Sequence, residues 1–119
     1  MHEMSVAESL VETIIKEAEK INAKPLKAVI SCGQLNPIND EVMQFAFEVV
    51  TRDTVCAGMK LEVLHLPWRA TCRKCKEKFD FDVYSPKCTK CGSAEMDMED
   101  DAPLQLDEIE FDENNRIKQ

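Results

Sequence analysis

The sequence predicts an α/β (α+β) fold: a small three-stranded mixed sheet carrying two helices, with a cysteine-rich module inserted before the last strand. Three observations carry this. Helix-like and strand-like periodicities alternate over the first 66 residues. Two paired-cysteine motifs follow. A strand-like apolar run then returns inside an acidic stretch near the end. The implied organisation is a domain over residues 1–68, a metal-binding module over 69–102, a returning strand at 103–112 that completes the sheet, and a flexible tail at 113–119.

Residues 5–22 read as an amphipathic helix, with Ala7, Leu10, Val11, Ile14, Ala18 and Ile21 at three- and four-residue steps. Ser5 and Glu8 match a capping box. Pro25 ends the helix by disfavouring helical geometry in the residue before it. Leu26 to Cys32 alternates and is rich in branched residues, which predicts a strand with Leu26, Ala28, Ile30 and Cys32 on one face. Residues 33–39 hold Gly, Asn and Pro and read as a turn. A second helix runs from Asp40 to Arg52, with Val42, Phe45, Ala46, Val49 and Val50 as its apolar stripe. Lys60 to Leu66 is a second strand. Leu104 to Phe111 is a third, but Leu104 and Leu106 are out of phase with Ile109 and Phe111, which predicts a bulge.

The chain has 119 residues and a formal net charge of -8, so phosphate backbones are repelled and nucleic acid is not the expected partner. No apolar run approaches the ~20 residues that span a bilayer. The opening residues lack the basic-then-apolar pattern of a signal peptide, so the expected compartment is the cytoplasm. There thiols stay reduced, and paired cysteines bind metal more readily than they staple a fold.

Cys72-x2-Cys75 and Cys88-x2-Cys91 are separated by twelve residues. Two residues between cysteines let both sulfurs of a tight turn face one ion, and two such turns complete a tetrahedron. This spacing predicts a structural Zn(II) site in a zinc-ribbon-like module, with no coordination position left for catalysis. Gly92 suits a sharp turn under the metal. Lys74, Lys76, Lys87 and Lys90 offset the charge of four thiolates. Cys32 and Cys56 fall outside the motif and read as small buried residues. A rubredoxin-type iron site and a dithiol redox pair are the competing readings of the cysteines.

His2 permits a different chelate. The amine of Met1, the backbone nitrogen of His2 and the His2 imidazole can close adjoining five- and six-membered rings around one ion. This requires loss of the amide proton, which Ni(II) and Cu(II) can drive because they favour a square-planar nitrogen field. A fourth position remains for Glu3, His65, water or a partner's ligand. A cation there opposes the helix dipole, at a cost of up to ~1 kcal/mol. The ordinary alternatives are a solvated terminal histidine for His2 and a sheet-face histidine for His65. No catalytic triad, P-loop or dinucleotide fingerprint is present, so an enzyme is not expected.

The chain resembles the HypA/HybF family, nickel-incorporation accessory proteins of [NiFe]-hydrogenase maturation. The resemblance rests on Met1-His2-Glu3-Met4-Ser5, Gly33-Gln34-Leu35, Phe45-Ala46-Phe47-Glu48, Gly58, Leu61-Glu62, Pro67, the paired cysteine motifs and Ile109-Glu110-Phe111. It implies a metallochaperone whose cargo, Ni(II), is held at Met1, His2 and Glu3, with Zn(II) at Cys72, Cys75, Cys88 and Cys91. It implies docking with a HypB-type nickel GTPase and with the hydrogenase large subunit precursor; in some bacteria the family also serves urease and its accessory proteins. Two features depart from the family pattern. Asp53 stands where a glycine is common, and the short cysteine module contributes no histidine. The alternative is a zinc-ribbon module for protein or nucleic-acid docking without nickel delivery, favoured only by the basic residues between 69 and 90.

Overall fold

The structure is a computed structural model that describes residues 2–117. The first helix, α1 (Glu3–Ile21), begins two residues earlier than the pattern predicts. Its N-cap is His2, and no side chain caps it, so Ser5 lies inside the first turns and the capping box does not form. The amide of Val6 donates to the His2 carbonyl at 3.1 Å, which extends the helix back to the second residue. Ala7, Leu10, Val11, Ile14 and Ala18 are buried as the period requires, whereas Ile21 is exposed. The helix ends on Asn22 in the left-handed conformation (φ 51°). The Ala23 amide reaches the Ala18 carbonyl and the Asn22 amide reaches that of Glu19, a Schellman closure that satisfies the last carbonyls before Pro25 is met.

Strand β1 (Lys24–Cys32) is the centre of the main sheet, whose order is β2-β1-β6. It runs parallel to β2 (Lys60–His65) and antiparallel to β6 (Gln105–Asp112). A parallel pair needs a crossover, and α2 (Asp40–Thr51) supplies it. Ala28, Ile30 and Cys32 are fully buried on the face toward the helices, joined by Leu61 from β2. Leu26 is exposed instead, because the pairing of β1 with β6 slips between Pro25 and Lys27. The bulge expected in β6 is present. Val29 faces Glu108 and Ile30 faces Leu106, so Asp107 is the extra residue. It brings Leu106 and Ile109 onto the same core despite their odd spacing.

Helix α2 corrects the sequence reading. The Asn39 side chain caps it by accepting from the Val42 amide at 3.0 Å. Its buried residues are Met43, Ala46, Phe47 and Thr51, while Val42 and Phe45 are exposed. Apolar residues occur on nearly every side of this helix, so periodicity alone could not choose the inward face. Helix α2 is followed by Asp53 at φ 61°, a left-handed residue without the freedom of glycine.

The remaining strands, β3 (Arg69–Cys72), β4 (Lys78–Asp80) and β5 (Met96–Met98), form a separate antiparallel sheet in the order β4-β3-β5. Its core is small: Ala70, Cys72, Phe79 and Cys88. The radius of gyration is 18.7 Å and the long axis is 62 Å. A compact chain of this length would have a radius near ~13.5 Å, so the two sheets stand apart along one axis.

Between them lies a braced joint. The Trp68 indole donates to the Glu99 carbonyl at 2.6 Å and meets Phe81 edge-on, ring centres 5.5 Å apart. Gln34 Nε2 donates to the Leu66 carbonyl at 2.7 Å. The Asp101 carboxylate accepts from the amides of Gln34 (2.8 Å) and Leu35 (2.7 Å). Those two amides hold the Asp101 carboxyl below its ordinary value. At the other end, Arg116 donates to the carbonyls of Ile21 and Asn22, and the Lys24 amide donates to the Asn115 carbonyl.

Candidate metal centres

The four motif cysteines converge. Their sulfurs all lie within 4.8 Å of one another, with Cys72 and Cys91 at 3.5 Å and Cys75 and Cys88 at 3.6 Å. The edge of a tetrahedron with ~2.3 Å metal–sulfur bonds is about 3.8 Å, so the donor set fits one ion with little adjustment. Among the described residues, no other group of three or more His, Cys, Asp or Glu ligand atoms is so close.

The two turns are built alike, and the backbone explains why. The Lys76 amide donates to the Cys72 carbonyl, and the Gly92 amide to the Cys88 carbonyl, each at 3.0 Å. The Cys72 amide donates to the Glu77 carbonyl and the Cys88 amide to the Ser93 carbonyl. Each turn closes on a left-handed residue after its second cysteine, Lys76 at φ 63° and Gly92 at φ 76°. The amide of Cys75 points at Cys72 Sγ (3.5 Å), and those of Lys90 and Cys91 point at Cys88 Sγ (3.4 and 3.5 Å).

These amides prepare sulfur to carry negative charge. The Cys91 amide, with that of Lys90, draws the Cys88 thiol down to about 6. The Cys75 amide likewise lowers Cys72. Around Cys75 the Glu77 amide favours the thiolate, but burial and the neighbouring sulfurs outweigh it and raise that thiol to about 11. All four clustered sulfurs can be thiolates together only beside a cation.

The basic residues of this module are largely committed to carboxylates. Arg69 pairs with Asp80, Arg73 with Asp97 (2.8 Å), Lys78 with Glu99 (3.6 Å) and Lys90 with Glu77 (3.8 Å). Two of these pairs, Arg73–Asp97 and Lys78–Glu99, join the basic 69–90 segment to the start of the acidic 95–113 segment. This leaves little of the open cationic surface that a nucleic acid needs.

The other candidate residues lie at the end of the main sheet that adjoins the joint, since Cys32 and His65 directly precede Gly33 and Leu66. His2 is exposed at the start of α1, and Glu3 is half-buried beside it. Met1 lies outside the described residues. The Glu3 carboxylate accepts from the Asn39 amide at 3.4 Å, which sets the start of α1 against the start of α2. His65 ends β2, directly across from Cys32. Its Nε2 meets Asp40 Oδ1 at 2.6 Å and its Nδ1 faces Cys32 Sγ at 3.4 Å. Asp40 was not singled out in the sequence, because a carboxylate in a helix's first turn is ordinary on dipole grounds. Asp101 and Trp68 were missed for a similar reason: their partners are remote in the chain.

Comparison with known proteins is decisive at this point. Residues 1–111 match the family model described as "Hydrogenase/urease nickel incorporation, metallochaperone, hypA". The chain belongs to the HypA family. It is 34% identical to the hydrogenase maturation factor HypA of Albidiferax ferrireducens, over 94% of this chain and all of that one. It is 33% identical, with the same coverage, to HypA of Azotobacter chroococcum. The fold matches the solution structure of the Ni metallochaperone HypA from Helicobacter pylori, with a TM-score of 0.59, 23% identity, and coverage of 93% of this chain and 97% of that one. A second HypA solution structure gives a TM-score of 0.64 at 24% identity, covering 93% and 96%. These relatives are hydrogenase maturation factors.

Proposed function

We propose that this chain is a nickel metallochaperone of [NiFe]-hydrogenase maturation, binding Ni(II) at its first residues and passing it on by ligand exchange. Membership of the HypA family over residues 1–111 carries this reading. The start of α1 supports it, because His2 stands exposed at the N-cap with its side chain in no capping bond. The Met1 amine, the His2 amide nitrogen and the His2 imidazole form the chelate, with Glu3 beside it. Square-planar nitrogen donors select nickel over zinc by geometry more than by raw affinity.

The cargo requires no nucleophile or general base, and the chain is not an enzyme. It works in the cytoplasm. Its partners are a HypB-type GTPase, which supplies nucleotide hydrolysis, and the hydrogenase large subunit precursor; urease accessory proteins are a further client. Cys72, Cys75, Cys88 and Cys91 hold Zn(II), whose role there is to stabilise the fold of the module. Their paired turns preset the sulfurs, and the short β3–β5 sheet is organised around them.

The test is nickel titration of the untagged, zinc-loaded chain. The expected result is tight Ni(II) binding that His2→Ala abolishes while zinc is retained. A short N-terminal extension, which acylates the amine, should do the same. Unchanged uptake in both would remove the nickel-carrier reading and leave a zinc-stabilised docking protein.

A further inference from the structure

Cys32, His65 and Asp40 make a line that the N-terminal chelate does not use. Cys32 and His65 are register partners at the ends of parallel strands, and the Leu66 amide donates to the Cys32 carbonyl at 2.9 Å to fix that register. Asp40 is the first residue of α2. An ionised carboxylate only accepts, so Asp40 Oδ1 at 2.6 Å takes the hydrogen on Nε2. The neutral ring then has its free lone pair on Nδ1, and Nδ1 faces Cys32 Sγ at 3.4 Å.

A carboxylate holding one ring nitrogen while the other points at a ligand position is the arrangement that orients metal-binding histidines. The spacing is also right. With bonds of ~2.3 Å to sulfur and ~2.05 Å to nitrogen, donors at a right angle are about 3.1 Å apart and at the tetrahedral angle about 3.6 Å apart. The observed 3.4 Å falls between. The Cys32 sulfur is buried, while the His65 side chain is 35% exposed, so an ion would enter past the ring.

The location matters as much as the geometry. Glu3 touches the Asn39 amide, Asn39 precedes Asp40, and Asp40 holds His65. The pair therefore lies next to the segment that carries His2.

We propose that Cys32 Sγ and His65 Nδ1, oriented by Asp40, form a second, sulfur-containing station for the nickel cargo beside the N-terminal chelate. This rests on the nickel-carrier reading for the identity of the ion. Two nickel–water bonds give way to one nickel–sulfur and one nickel–nitrogen bond, and the thiol proton of Cys32 leaves to solvent. Water or the N-terminal nitrogens fill the other positions. An ion held here keeps protein ligands while the His2 amide regains its proton, so the cargo crosses to an acceptor without becoming fully aquated.

The experiment is a Ni(II) titration of the full-length, untagged, zinc-loaded protein, followed by near-ultraviolet absorption, with zinc release monitored by a chromogenic chelator. A thiolate-to-nickel charge-transfer band should grow while zinc stays bound. It should vanish in Cys32→Ser and weaken at least tenfold in His65→Ala, and persist in Cys56→Ser. His65→Ala changes a part-exposed side chain at a strand end, so it keeps the test valid if Cys32→Ser fails to fold. In His2→Ala the band should remain while the nitrogen-only site is lost, which separates this station from the N-terminal chelate. Absence of the band with zinc retained, its survival in Cys32→Ser, or its indifference to His65→Ala would overturn the proposal.

Discussion

Gly33 is where the returning linker presses closest on the main sheet. A Cβ placed there would lie 2.4 Å from the Ala102 carbonyl oxygen and 2.4 Å from both Asp101 carboxylate oxygens. Ordinary van der Waals contact begins near 3.4 Å, so Gly33→Ala forces a retreat of about 1 Å. The carboxylate could swing aside, but only by releasing the Gln34 and Leu35 amides it holds. The Ala102 oxygen belongs to the backbone and moves only with the linker. Overpacking of this kind costs about 1–3 kcal/mol. With a urea m-value of about 2 kcal/mol/M, the midpoint of the zinc-saturated protein should fall by about 0.5–1.5 M. Hydrogen exchange at the Gln34 and Leu35 amides should accelerate with it. A midpoint unchanged within error, with both amides still protected, would refute the claim that this contact fixes the linker.

Three further outcomes follow from the same structure. Asp101 is held below its ordinary value, near 3.8, by the Gln34 and Leu35 amides, so its contribution to stability is complete above that value and is lost as pH falls below it; carboxyl NMR of Asp101 should show a depressed midpoint that Gly33→Ala moves back up. Asp53→Gly should stabilise the protein by about 0.5–1 kcal/mol, because the left-handed conformation after α2 strains a side chain but not a glycine; a thermal midpoint no higher than wild type would count against it. Removing zinc with a strong chelator should collapse NMR dispersion across residues 69–98 while β1 and α1 persist, since two of the four core residues of that sheet are themselves ligands. In that state the four motif thiols should react with a disulfide reagent ahead of Cys56, whose thiol burial pushes up.

The parts of this fold that were legible in the sequence are those governed by local rules. Strand alternation placed β1, β2 and β6 to within two residues, and the phase break between Leu106 and Ile109 announced a real bulge. Spacing alone brought four cysteines to one point. Where two local signals competed, the sequence misled. Ser5 and Glu8 looked like a cap, yet the helix starts two residues earlier by using the His2 carbonyl. Helix α2 had too many apolar residues for its period to pick Phe47 and Met43 over Phe45 and Val42. What stayed hidden depends on the assembled chain. Gln34 and Asp101 are 67 residues apart, and Cys32 meets His65 only because a parallel crossover sets their register.

That crossover also bears on how the proposed carrier would keep two metals apart. The sulfur cage is set by the hydrogen-bonded backbone of two matched turns, and a square-planar ion would have to flatten that arrangement to use it. The main sheet gathers the starts of α1 and α2 at its end beside the joint, where the helix dipoles disfavour a cation. Glu3 and Asp40 place two carboxylates there, and the first of them already accepts from the Asn39 amide. On the proposed reading, a metal there is held only once a proton has been expelled from an amide or a thiol, so its affinity should fall as pH drops. The cage holds its ion through preset geometry. The proposed nickel site would hold its ion through chemistry that protons reverse, which suits an ion that must be given away.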